Sequence, residues 1–224
     1  MKNLLLLAIS LPLLLGGCGD KPNLKYENLK YEIKDGTVTI TGCDIKASGE
    51  LIIPAIIEGK TVTSIGNEAF RDCKSLTSIT IGNGVTSIGG NAFLFCSLTS
   101  ITIPDSVTSI GDSAFFSCSR LTSITIPDSV TSIGDYAFGS CKSLTSITIL
   151  DGITSIGDAA FYACTSLTAV TFLGAAPKAR DGFSEIRGRR VFSRATPTIY
   201  RKPEAKGWGD TFGGRPVKLI SEKP

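Results

Sequence analysis

The chain has 224 residues, a formal net charge of +3 and no histidine. So small a charge does not argue for nucleic acid or an anionic membrane surface as partner, and the missing histidine excludes a His-based triad, general base, metal ligand or pH switch. The length allows one or two domains with a sizeable hydrophobic core.

The start reads Met1-Lys2-Asn3, then an apolar run from Leu4 to Leu15 broken by Pro12, then Gly16-Gly17-Cys18. A basic beginning, a short apolar stretch and small residues before a cleavage point mark residues 1–17 as a signal peptide. A membrane span needs about 20 apolar residues, more than this run supplies. The segment Leu15-Gly16-Gly17-Cys18 resembles the lipobox of bacterial lipoproteins. That resemblance implies cleavage before Cys18, acyl chains on it, and an exported protein anchored by lipid in the bacterial cell envelope, at the outer membrane or cell surface. Ordinary secretion with Cys18 unmodified is the alternative. Residues 18–30 are polar, carry Pro22, and read as a tether.

Residues 31–61 read as an N-terminal β cap. From Tyr31 to Thr41 polar and apolar residues alternate around Asp35-Gly36, a strong hairpin signal, and Gly49 to Pro54 is a further strand. Such a cap covers strand groups that the first repeat leaves unpaired.

Residues 62–173 hold one phrase five times, starting at Val62, Val85, Val107, Val130 and Ile153, at spacings of 23, 22, 23 and 23. A period of this length means a solenoid, because one copy cannot bury its own apolar face. Each copy ends in Leu-x-x-Ile-x-Ile or a close variant, a short strand with one face buried, so copies stack as a parallel β-sheet. Pro104-Asp105 and Pro127-Asp128 supply turns after the strand. A second extended piece, Val-Thr-Ser-Ile-Gly, follows. Asp112, Asp135 and Asp158 then precede an Ala-Phe pair, where each can cap a short helical turn. Asn67 and Gly90 in the first two copies argue against a calcium ladder of aspartates.

Phe70, Phe93, Phe115, Phe138 and Phe161 make one column, and Cys73, Cys96, Cys118, Cys141 and Cys164 another. With one sulfur per turn there is no tetrahedral metal set, so the thiols read as buried packing, with partial oxidation between neighbours as the minor alternative. Cys43 lies outside the column without an obvious partner. No cofactor is expected.

Residues 174–224 read as a basic loop and C-terminal cap. Val191-Phe192 echo the Ala-Phe pair, and a last strand is expected around Thr198 to Tyr200. Between 174 and 206 nine basic residues face three acidic ones. Lys178, Arg180, Arg187, Arg189, Arg190 and Arg194 form a candidate basic patch that either is simply solvated or docks an anionic partner.

The repeat is similar to the BspA-like, treponemal-type leucine-rich-repeat family, whose phrase Leu-x-x-Ile-x-Ile-Pro-x-x-Val-x-x-Ile-Gly-x-x-Ala-Phe-x-x-Cys covers residues 62–173 almost letter for letter. Departures are one residue deleted between Cys96 and Leu98, Ala169 in place of a serine, and the arginine-rich insertion. The fold expected is a leucine-rich-repeat solenoid with a short parallel β-sheet, extended and short helical turns, and a β-hairpin N-terminal cap. The family implies a surface or secreted protein, often an adhesin; nucleic acid is not an expected partner and the chain is expected to be monomeric. Its candidate interaction surface is the solvent-facing ladder Ser78, Thr80, Ser100, Thr102, Ser123, Thr125, Ser146 and Thr148, offered to a protein or glycan at a cell surface or matrix. A rigid spacer without a ligand is the alternative, and an enzyme is disfavoured because the aspartates have turn or cap roles. An ice-binding face is disfavoured too, since alternating serines make a poor methyl array.

Overall fold

A computed structural model describes residues 28–179 and 190–223. The signal peptide, Cys18, Arg180, Arg187 and Arg189 lie outside the described residues.

The hairpin forms around Asp35-Gly36. Strands β1 (Leu29–Lys34) and β2 (Thr37–Cys43) pair antiparallel with Lys34 opposite Thr37. Asp35 and Gly36 have φ of 49° and 76°, the positive values that a two-residue type I′ turn requires. Because β1 begins at the buried Leu29, residues 29 and 30 of the expected tether belong to the fold.

Strands β3 (Gly49–Ile53), β4 (Ile56–Ile57) and β5 (Lys60–Ile65) follow. The repeats then alternate a longer strand with one of two residues: β6 (Leu76–Ile81) and β7 (Ser87–Ile88), β8 (Ser100–Thr102) and β9 (Ser109–Ile110), β10 (Ser123–Ile126) and β11 (Ser132–Ile133). The next are β12 (Ser146–Ile149) and β13 (Ser155–Ile156), then β14 (Ala169–Phe172) and β15 (Lys178–Ala179). The chain closes with β16 (Thr198–Arg201), β17 (Thr211–Phe212), β18 (Arg215–Leu219) and a 3-10 turn at Ile220–Glu222.

Two parallel faces result. One sheet runs unbroken as β1-β2-β5-β7-β9-β11-β13-β15, so the hairpin extends it at the N-terminal end. The face of longer strands is in two pieces, β3-β6-β8 and β10-β12-β14-β16-β18-β17. Between β8 and β10 no strand ladder forms among the described residues. This seam falls at the shortened repeat. In the other four repeats the leucine N–H donates to the cysteine carbonyl three residues back, as Leu121 does to Cys118 at 3.1 Å. Leu98 lies only two residues after Cys96, so that three-residue turn cannot close, and β8 leaves a differently shaped corner.

The interior is a spine. The rings of Phe70, Phe93, Phe115, Phe138 and Phe161 stack at 5.1 to 5.6 Å with interplanar angles of 3° to 12°. Phe192 adds a sixth ring 5.4 Å from Phe161, and buried Ala195 follows it where earlier repeats carry cysteine. The stack follows from strand spacing near 4.8 Å, which carries identical side chains into offset contact. Trp208 then closes the end, its ring 4.9 Å from Phe172 and its Nε1 donating to the Gly174 carbonyl at 3.1 Å.

After each glycine the short helical turns use bonds to the third residue back, such as Arg71 N–H to Glu68 carbonyl at 3.0 Å and Cys73 to Phe70 at 3.1 Å. No α-helix occurs among the described residues. Each repeat places two non-glycine residues at positive φ, for example Tyr136 and Ser140 at 55° and 58°. Left-handed backbone costs about 1–2 kcal/mol per residue. It turns alternate N–H groups towards the following repeat, where Tyr136, Phe138 and Ser140 donate to the carbonyls of Asp158, Ala160 and Tyr162.

Asp112 and Asp135 cap across repeats rather than within them. Asp112 Oδ1 accepts from Asp135 N–H and Asp135 Oδ1 from Asp158 N–H, each at 2.8 Å, and Asn67 Oδ1 does the same for Gly90. For Asp112 and Asp135 the expected cap of the aspartate's own turn is therefore corrected: the carboxylate lies over the next glycine and reaches the donor beyond it.

The five column cysteines are all buried, each at 1% exposure or less. The Sγ of Cys96, Cys118, Cys141 and Cys164 donates to the carbonyl of Phe70, Phe93, Phe115 and Phe138, one repeat back, at 2.9 to 3.2 Å. Cysteine thus fills a narrow corner and satisfies a carbonyl. Burial pushes the Cys96 and Cys164 thiols up to about 12 and those of Cys118 and Cys141 well above the ordinary 9.0. In the unfolded chain these thiols ionise above about pH 9 while the folded ones stay neutral. Their stabilisation is complete below that pH and is lost as pH rises towards 12, with a slope of about 1.4 kcal/mol per pH unit for each ionising thiol. Urea melts across pH 8.5 to 10.5 should show this fall, and Cys118→Ala should flatten it; equal slopes in both proteins would count against it.

The strand face as candidate interaction surface

The ladders bring the eight predicted hydroxyl residues onto one face. Ser78 lies beside Ser100 and Thr80 beside Thr102; across the seam Ser123 lies beside Ser146 and Thr125 beside Thr148. Thr80, Ser100, Thr102, Ser123 and Thr125 are exposed, while Ser78, Ser146 and Thr148 are half-buried. Strand alternation accounts for this, since the intervening isoleucines point into the core.

A second set of threonines behaves differently. Thr99, Thr145 and Thr168, at the strand edge, donate their Oγ1 to the threonine carbonyl one repeat back at 3.0 to 3.1 Å. Thr86, Thr108, Thr131 and Thr154 do the same beside the unbroken sheet. The eight ladder hydroxyls make no such bond among the described residues, so their donors and acceptors are turned outward.

The face has limits that its sequence did not announce. At the N-terminal end Glu50 and Ile52 continue the rows of Ser78 and Thr80, and Ile52 is 47% exposed. At the C-terminal end Ala169, Thr171 and Tyr200 are only 7% to 8% exposed. Tyr200 pairs with Thr171 across the ladder, and Lys223 Nζ lies 5.8 Å from its ring. The open part of the face runs from β6 to β12.

The seam lies in the middle of it. An open groove of about 410 Å³ is lined there by Ser100, Thr102, Asp105, Ser123, Thr125 and Pro127. The underlying Ile101 and Ile124 are 9% and 5% exposed, against 1% for Ile79 and Ile147 in the paired parts of the sheet. The single-residue deletion was visible in the sequence; the opening it leaves was not.

Lys178, Arg190 and Arg194 of the basic patch fall among the described residues. Lys178 is exposed on β15 at the end of the unbroken sheet, opposite Ser155. Arg194 stands over the Tyr162 ring at 5.5 Å, and Arg190 is exposed nearby in sequence. Tyr162 itself ends a row that periodicity missed. Phe95, Phe116, Tyr136 and Tyr162 meet edge to face at 6.1 to 6.4 Å along the turn side. They come from unequal positions in the repeat, so no single column of the sequence displays them.

One coil per repeat, a parallel sheet of Leu-x-x-Ile-x-Ile strands and a stacked phenylalanine spine define a leucine-rich-repeat solenoid. Residues 50–174 match the model of the BspA type leucine rich repeat region of 6 copies. The chain belongs to the BspA-type leucine-rich repeat family.

Among solved structures, it is similar to the leucine rich repeat protein of T. pallidum, with 26% identity, a TM-score of 0.65, and coverage of 80% of this chain and 86% of that one. A leucine rich cell surface protein from Faecalibacterium prausnitzii A2-165 is 33% identical over 80% of this chain and 55% of its own, with a TM-score of 0.58. A leucine-rich repeat protein from Bacteroides capillosus is 32% identical over 56% of this chain and 96% of its own, with a TM-score of 0.50. No curated protein matches the chain. Among the described residues no helix is long and apolar enough to cross a membrane, and no group of His, Cys, Asp or Glu is placed to hold a metal.

Proposed function

We propose that the protein is an exported module of the cell envelope, held there by acyl chains on Cys18, that binds a protein or glycan through the strand face between β6 and β12. The observation carrying this reading is the division of labour among hydroxyls. The edge threonines are consumed by bonds to the preceding repeat, while the eight ladder hydroxyls, in register within each half of the face, make no such bond and four of them, Ser100, Thr102, Ser123 and Thr125, line the groove at the seam. Concave solenoid faces are where partners usually dock, and the F. prausnitzii relative is described as a cell surface protein. Basic residues of the C-terminal region assist by long-range attraction, and the chain acts as a monomer without a cofactor.

Two arms test this. Metabolic labelling with a palmitate analogue should mark the full chain and miss Cys18→Ala; equal labelling would remove the anchor from the reading. For binding, the protein is screened against arrayed glycans and a panel of matrix and envelope proteins, and the partner recovered is titrated. Thr102→Arg with Thr125→Arg should weaken binding at least tenfold, about 1.4 kcal/mol, because two bulky charges beside the seam block approach and lose solvation beneath a partner. Reversing Arg187, Arg189 and Arg190 to glutamate should weaken it mainly at low salt, since exposed charges are screened over about 8 Å at physiological ionic strength. Normal binding by the double arginine variant with total loss in the reversed one would move the site to the C-terminal region. Failure of every screen would leave a rigid spacer as the better reading.

A further inference from the structure

We propose that the turn corner beside the shortened repeat binds an acidic polysaccharide, one sugar ring resting on Phe95 and carboxylates of the polymer meeting Lys74 and Lys142. The site is separate from the strand face. Each repeat carries a left-handed residue directly before its column cysteine, and in the other four these are Asp72, Ser117, Ser140 and Ala163, all polar or small. Phe95 holds that position in the shortened repeat, with φ of 61° and 40% of its surface exposed. A bulky side chain on left-handed backbone is rare, and an exposed ring recovers less of the cost by burial. Among the described residues every other exposed large apolar side chain lies in the N-terminal cap. The ring is also held in place. Phe116 meets it at 83° with centroids 6.4 Å apart, and Phe116 itself occupies the space over Gly139, where a β-carbon would lie 2.7 Å from its Cδ2.

The surface next to that ring is open. A groove of about 280 Å³ runs there, lined by Phe95, the serines Ser97, Ser117 and Ser140, and the side chains of Lys74 and Lys142, with no carboxylate among its walls. The two lysines come from repeats three steps apart, about 14 Å along the stack at the parallel strand spacing, so a polymer lying along the solenoid axis spans both. Lys142 has no ion pair among the described residues, and Lys74 meets Asp72 at 3.1 Å on the surface, a contact weak enough for a ligand carboxylate to replace. Serine hydroxyls donate to and accept from sugar hydroxyls, and the negative face of an aromatic ring suits the C–H face of a pyranose. An acidic peptide would use the lysines equally; the exposed ring rimmed by hydroxyls favours the sugar polymer.

Oligogalacturonate, a polymer of sugars each bearing a carboxylate, is titrated into the full chain by calorimetry at low salt, beside dextran as a neutral sugar polymer and polyglutamate as an acidic chain without sugar. Galacturonate should bind, dextran should not, and polyglutamate should bind about tenfold more weakly or worse. Phe95→Ser copies the residue of the next two repeats and Lys142→Ser copies Ser119 of the repeat before it, so both suit the local backbone and should melt as the wild type does. Each should weaken galacturonate binding about tenfold or more, as truncation of a binding anchor does, and Phe95→Tyr should retain it. Added salt should weaken the wild type more than Lys142→Ser, because one screened attraction is already gone. Equal binding of polyglutamate and galacturonate, unchanged in Phe95→Ser, would reduce the groove to a patch of charge and overturn the proposal. Absence of galacturonate binding at millimolar concentration would overturn it as well. Loss of that binding in Thr102→Arg with Thr125→Arg, but not in Phe95→Ser, would place the polymer on the strand face instead.

Discussion

Phe115→Ala should lower the unfolding free energy by about 3 to 5 kcal/mol, the usual cost of truncating a buried phenylalanine. Its ring is fully buried and lies 5.1 Å from both Phe93 and Phe138, nearly parallel to each. Truncation removes two stacking contacts and leaves a cavity whose walls are backbone bonded to both neighbours, with little freedom to collapse. The Cys141 thiol also loses the packing beside its acceptor, the Phe115 carbonyl. Because stability in a stack resides largely in the interfaces between repeats, the loss should reach amides of the flanking repeats in native-state hydrogen exchange. A urea melt displaced by less than about 1 kcal/mol, an ordinary single-mutation effect, would mean that the spine is not what holds the repeats together.

Gly134→Ala should cost about 3 kcal/mol, at the top of the usual overpacking range, although it adds a single methyl group. A β-carbon there would sit 2.4 Å from Asp112 Oδ1, 2.6 Å from Asp112 N and 2.7 Å from the Gly111 carbonyl carbon. Those atoms cannot retreat without opening the stack, because Gly134 N–H is bonded to Ile110 and Asp135 N–H to Asp112. Gly90 is the internal control: its nearest atom to a β-carbon is 3.4 Å away. Gly90→Ala should be neutral or stabilising by about 0.4–1 kcal/mol through the unfolded chain. Thermal and urea melts of the pair decide the matter; equal stability of the two variants would show that the close approach at Gly134 relaxes at no cost.

The stacked fold was legible because the same apolar positions recur every 22 or 23 residues, and repetition turns a local pattern into a column. Phe192 could be placed by its Val-Phe echo even though the intervening chain departs from the period. What escaped the sequence was contact between unlike positions. The row from Phe95 to Tyr162 was hidden in this way, as was the coverage of Thr171 by Tyr200. The candidate surface was legible as an alternation of Ser and Thr. Which threonines were already committed to carbonyls was not, because edge and face positions carry the same residue type.

The seam also bears on how the solenoid carries load. At every other repeat junction three sides of the coil are tied to the next; between the repeats of β8 and β10 one of the three is untied, while β9 still pairs with β7 and β11 and Phe93 still stacks on Phe115. In a chain of nearest-neighbour couplings the weakest junction sets where cooperativity divides. The molecule is then two stiff blocks joined along their backs, and its softest bending mode opens the strand face about that line. Curvature of the face becomes a property of one deleted residue: a partner that settles across the seam can bind by changing one angle, without deforming either block.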